Sequence, residues 1–84
     1  MQHVFVLSHL HVYDDGSEDI KLLGVYSSHQ SALQAVERLR LVAGFRDFPD
    51  LVADLGAGPA EGSGFYLGKY LLDQDSWSEG FVTV

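Results

Sequence analysis

Four histidines, and twelve carboxylates set against five Lys and Arg, are the residues of this chain best equipped for chemistry. His9 and His11 stand two apart in a run of strand-forming types, so their imidazoles project in parallel from one strand face, which is how a metal site could begin. Zinc takes three or four protein ligands, and here there is neither a cysteine nor a His-Glu-x-x-His spacing. His3 and His29 complete no recognisable set. We therefore read His9 and His11 as half-exposed imidazoles on an open sheet face, assign no metal ligand, and keep a metal or small-ligand sensor as the alternative.

The acidic run Asp73, Asp75 and Glu79 has the look of a cation loop, but a calcium-binding EF-hand would need Asn or Asp where Trp77 stands, Gly where Ser78 stands and Glu where Val84 stands. It reads as a solvated acidic turn. The glycines fail as a phosphate loop: Glu61 takes the third glycine's place after Gly56 and Gly58. The stretch from Gly64 to Lys69 is one residue short of a Walker loop, and Tyr70 follows where a Ser or Thr is required. Ser63 lacks the Gly-x-Ser-x-Gly spacing, and Ser8 and His9, as strand neighbours, point to opposite faces. No catalytic residue and no cofactor is assigned, and the expectation is a protein that is not an enzyme. Tyr70, Trp77 and Phe81, close to Asp73, Asp75 and Glu79, combine aromatic area with negative charge, a composition suited to a basic protein surface. With His9 and His11 they form the candidate partner-binding set.

Several elements must hold these residues in place. Residues 3–26 read as a β-hairpin: a β-branched and aromatic run, the turn dipeptide at Asp15 and Gly16, and a return from Ile20 to Tyr26. Within the first strand Val4, Val6, Leu10 and Val12 share one face. His3, Phe5, Leu7, His9, His11 and Tyr13 share the other, a mixed face expected to be only partly covered. Residues 28–43 read as an amphipathic helix, capped by Ser27 or Ser28, with Ala32, Ala35, Val36, Leu39, Val42 and Ala43 on one stripe. Gly44 is its stop, and Leu41 falls off the stripe. Phe45 and Phe48 lie in an aromatic turn that plugs the open end of the helix–sheet layer. Residues 51–64 read as a flexible glycine-rich loop, 65–72 as a strand in which Gly68 marks a bulge or a close approach, and 81–84 as a short terminal strand. The predicted fold is α+β, a two-layer sandwich in β-β-α-β-β order with an antiparallel sheet packed on one amphipathic helix.

The chain has 84 residues, 46% hydrophobic and 20% charged, enough for one small domain with one core. Its formal charge of −7 divides as −3 over residues 1–26, +2 over 27–46 and −6 over 47–84. That balance opposes a phosphate backbone and an anionic bilayer, so neither nucleic acid nor membrane is expected as a partner. No apolar stretch approaches the roughly 18 residues of a membrane span and no signal peptide is evident. The absence of cysteine suits a reducing cytoplasm.

The succession Val-Phe-Val-Leu-Ser-His-Leu-His (4–11), Asp-Ile-Lys-Leu-Leu-Gly-Val-Tyr-Ser-Ser (19–28), Gly-Phe-Arg-Asp-Phe-Pro (44–49) and Leu-Asp-Gln-Asp-Ser-Trp-Ser-Glu-Gly-Phe-Val (72–82) resembles a family of small bacterial proteins of unknown function. The resemblance covers nearly the whole chain, and its most specific part is the Asp-x-Asp-x-Trp-x-Glu-Gly-Phe string at 73–81. Residues 51–64 depart from the pattern, being longer and richer in Gly and Ala. The resemblance implies a compact cytoplasmic α+β module in bacteria, without cofactor or assigned catalytic residue. Taken together, the chain reads as a small acidic protein-interaction module, self-association through a free sheet face or edge included. An immunity- or antitoxin-like inhibitor of a basic toxin is a second alternative.

Overall fold

Alternating branched and aromatic residues form β1 (His3–Val12), and the return run forms β2 (Glu18–Tyr26), in a computed structural model that describes residues 2–58 and 61–73. The two pair antiparallel as the hairpin pattern predicts. Between them Gly16 takes φ +89°, its N–H donates to the Tyr13 carbonyl at 3.0 Å, and the Asp15 carboxylate accepts from the N–H and the hydroxyl of Ser17 at 2.9 and 2.6 Å. A bulge interrupts the ladder: Leu7 faces Gly24 while Ser8 faces Leu22, so Leu23 is the extra residue and packs against the core.

Helix α1 runs His29–Leu39, with Ser28 as its cap accepting from the Ser31 N–H at 3.0 Å. It stops four residues before the predicted end. Beyond Arg40 most bonds span three residues, Val42 N–H to Leu39, Phe45 N–H to Val42 and Phe48 N–H to Phe45, with Arg46 N–H also reaching Val42, so the chain winds through successive tight turns that return Phe45 and Phe48 over β1. Leu41 is 77% exposed, in keeping with its place off the stripe, and Val42 and Ala43 are exposed as well.

The predicted flexible loop at 51–64 is corrected in its first third: Leu51–Asp54 is strand β3, which pairs with β4 (Gly64–Leu71) in parallel. β4 pairs antiparallel with β1, giving the order β2-β1-β4-β3. The sheet is therefore mixed, not antiparallel throughout. β2 and β3 lie at opposite edges and run the same way, and the chain between them carries α1 across a single face. The glycines of this region answer steric demands. A Cβ on Gly58, at φ +107°, would stand 2.5 Å from the Val52 carbonyl oxygen, and one on Gly64, at φ +148°, would stand 2.4 Å from the Val52 side chain. Gly68 marks no bulge, since β4 keeps unbroken register with β1; the Tyr70 ring lies over it. The expected strand at 81–84 lies outside the described residues.

The core joins Phe5 and Leu7 of β1, Phe65 and Leu67 of β4, and Ala32, Ala35 and Val36 of α1, with Leu23, Leu33, Leu39, Phe45 and Leu51 packed around them. Ala32 and Ala35 let the helix backbone come close enough to seat large side chains from the sheet. Each fully buried Leu or Phe contributes about 1.5–3 kcal/mol. The covered face is the one carrying Phe5, Leu7 and His9, which reverses the expectation that this face stays partly open. On volume, two aromatic rings and two leucines from the paired central strands outweigh the single polar imidazole among them.

Candidate functional site

His9 is 2% exposed. Its ring lies 4.7 Å from Phe45 and 4.8 Å from Phe65, and its Nε2, 3.1 Å from the Phe48 carbonyl oxygen, donates to it. The partner is an acceptor only, so Nε2 carries the proton. His11 stacks on Tyr13 at 4.2 Å and stands 4.9 Å from Phe48. Together they fasten the 45–48 turn to β1, and the reading of both as imidazoles on an open face is corrected for His9. Among the described residues no three His, Asp or Glu side chains gather in a group that could hold a metal.

The remaining members of the candidate set separate. Tyr70 is 45% exposed on β4 and pairs across to Val4, which puts it on the face opposite His9 and His11. Asp73 is exposed just beyond β4 with φ +59°. Asp75, Trp77, Glu79 and Phe81 lie outside the described residues. Tyr70 and the two histidines therefore do not form one surface.

What the register does bring together is the face away from the helix. It collects Val4, Val6, Ser8, Leu10 and Val12 from β1, Glu18, Ile20, Leu22 and Val25 from β2, and Tyr66, Gly68 and Tyr70 from β4. Ile20, Leu22 and Val25 are 66%, 68% and 58% exposed. In this set Glu18 alone carries a charge, and it stands at the turn end of β2. Asp19, Lys21 and Lys69 belong to the helix side, Lys21 paired with Asp19 and the Lys69 ammonium 6.0 Å from the Phe5 ring centre. Hydrogen bonding to Asp19 holds the Lys21 ammonium above its ordinary range. An exposed apolar surface this continuous is uncommon on small monomeric domains. Sequence reading placed Ile20 to Tyr26 in a strand without naming its residues as site candidates; the signal available was the alternation of Ile20 and Leu22 with charged Asp19 and Lys21.

Two further features were not foreseen. His29, at the start of α1, places Nε2 2.8 Å from Oδ1 of Asp54 at the end of β3, both part-exposed. The pair lies 25 residues apart in sequence. Its carboxylate orients the imidazole, but no hydroxyl among the described residues is hydrogen-bonded to that ring, so no nucleophile is activated there. An open groove of about 390 Å³ runs between α1 and the start of β3, lined by Leu33, Val36, Pro49 and Leu51 with Glu37, Arg40 and Asp50. Arg40 is already paired with Glu37 at 3.1 Å.

No helix among the described residues is long and apolar enough to cross a membrane. No curated protein and no solved structure matches the chain. A family model described as a domain of unknown function (DUF7336) matches residues 2–56, which carry β1, β2, α1 and β3, while the 73–81 string lies beyond the match. The chain thus belongs to the DUF7336 family.

Proposed function

We propose that this protein is a small, acidic, non-enzymatic interaction module whose docking surface is the helix-free face of its sheet. The observation that carries the reading is the row Ile20, Leu22 and Val25 on β2, each more than half exposed, set beside Val4, Val6, Leu10 and Val12 of β1 and Tyr66 and Tyr70 of β4. Leaving such a row in water forgoes about 25 cal/mol for every Å² that a partner could cover. The histidines first considered for ligand binding belong to the opposite layer, with His9 engaged by Phe48, so they support neither a sensor nor a general base. The acidic partner-binding patch is kept only as a rim: Asp73 beside Tyr70, with Asp75, Trp77, Glu79 and Phe81 following in sequence. The bacterial, cytoplasmic setting is carried over from the resemblance of the 73–81 string and its neighbours.

A photo-reactive residue placed at position 22, and separately at position 41, tests the reading in living cells. Position 41 is as exposed as position 22 but lies off the sheet. Discrete higher-mass adducts at 22 and none at 41 are expected. The same diffuse labelling at both sites would discard the docking surface.

A further inference from the structure

We infer that the occupant of this face is a second copy of the same chain, packed sheet against sheet about a twofold axis. The inference rests on the interaction reading above and names its partner. Two observations point to self-association over a foreign basic protein and over a nucleic acid.

The first is charge. The chain carries −7, yet of the described residues on the helix-free face only Glu18 is ionised, and it sits at the border. A basic partner laid on this surface would find no carboxylates in its interior. Its own charges would lose water and gain no counter-charge, which costs several kcal/mol per ion. A second copy brings the same uncharged surface, and the carboxylates at Asp14, Asp15, Asp47 and Asp50 remain in loops and turns outside the contact. Shape and composition are then matched by symmetry, because in a twofold contact each residue meets its complement on an identical patch.

The second is area. Four strands about 4.8 Å apart, with the fourth about half as long as the others, present on the order of 500 Å² in flat projection per copy at about 3.4 Å per residue. Two such faces bury about 1,000 Å² before side-chain relief is added, which is the area a specific interface has to clear, and the relief carries it toward the roughly 1,200 Å² at which stable interfaces begin. Sheets pack face to face with about 10 Å between them, a thickness that Ile20, Leu22, Val25 and their β1 neighbours would fill.

Sedimentation equilibrium of the full chain decides the matter. Wild type is expected at twice the chain mass in the micromolar range. Leu22→Asp, and independently Ile20→Asp, are expected to raise the midpoint of association roughly 30-fold or more, since each puts into the contact a charge that loses its water and gains no counter-charge. Leu41→Asp is expected to leave the midpoint unchanged. Both face positions are exposed in the single copy, so far-UV circular dichroism should show all three variants folded; the second face variant stands in if one is not. Wild type that stays monomeric at hundreds of micromolar, or dimers indifferent to both face variants, would overturn the inference. Alkylation of Leu22→Cys, the sole thiol in the chain, then separates this failure from that of the parent reading. Rapid labelling of a monomer leaves the face free for another protein, so only the second copy is lost. Slow labelling of a monomer means that the chain covers the face itself, and both readings fall.

Discussion

The two faces of one sheet use adjacent residues of the same strands in opposite ways. On the helix side, Phe5, Leu7 and His9 of β1 alternate with Val4, Val6 and Leu10 on the other, and β4 answers with Phe65 and Leu67 against Tyr66 and Gly68. Both sides are largely apolar, so hydrophobicity alone does not separate them. The rings do: the helix side carries Phe5 and Phe65, which have no polar end and with Leu7 and Leu67 reach the Ala32 and Ala35 stripe, whereas the rings on the other side are the tyrosines Tyr66 and Tyr70, set beside branched residues and Gly68. The covered face is the one whose side chains fill the space beneath a helix. The uncovered face carries no charge but Glu18 at its border, so another apolar sheet could lie on it without burying an ion.

The contrast is broken first by truncation on either side. Phe65→Ala removes a fully buried ring and is expected to cost about 3–5 kcal/mol in urea unfolding. Leu22→Ala, measured at concentrations low enough to keep the chain monomeric, is expected to cost no more than about 0.5 kcal/mol. Equal losses would mean that the two faces are equally covered. The histidines give a finer version of the same test. His9→Ala opens a cavity between Phe45 and Phe65 and leaves the Phe48 carbonyl without its donor, for a loss of about 2–3 kcal/mol. His11→Ala, at the half-buried margin, is expected to lose under about 1 kcal/mol.

The hairpin, the Ser28 cap and the Ala32, Ala35 and Val36 stripe were legible in the sequence because each rests on a local cause: turn chemistry, a free N–H, a helical period. Which face of β1 is covered was not, since His9 and His11 raise the apparent polarity of their side and the deciding residues, Phe65 and Leu67, lie more than fifty positions away. β3 was hidden for a related reason. Its four residues carry a weak strand signal and sit before a glycine run, and they are extended only because β4 offers a ladder. The glycines there look like slack in one dimension, whereas Gly58 and Gly64 are required by the Val52 backbone and side chain. The helix overran in the reading because Val42 and Ala43 continue its apolar period, while Phe45 and Phe48 pull the chain into turns toward His9. The candidate site was legible in part: Tyr70 lies on the free face, but Ile20, Leu22 and Val25 gain their meaning from register.

Register is the hinge of the comparison, because a slip of one residue in β2 would exchange Ile20 and Leu22 with Asp19 and Lys21 across the sheet. The 13–17 turn sets it, and the Asp15 carboxylate sets the turn. Two hydrogen bonds from Ser17 hold that carboxyl below the ordinary aspartate range in the fully exposed turn. Its depressed folded value means that the unfolded chain binds the proton more readily, so the contribution to stability is present above the ordinary aspartate value and is lost as pH falls through the folded one. Ser17→Ala is expected to bring the Asp15 titration, followed by carboxyl carbon NMR, up toward the ordinary aspartate range. The loss of stability should be small, present at neutral pH and vanishing in acid, because an exposed turn is screened by water. The sharper reading lies in amide exchange along β2. With register intact, Leu23 stays against the core and the ladder keeps its bulge at Leu7 and Ser8; a redistribution of protection on loss of Ser17 would show that this one turn decides which residues of β2 stand on the helix-free face.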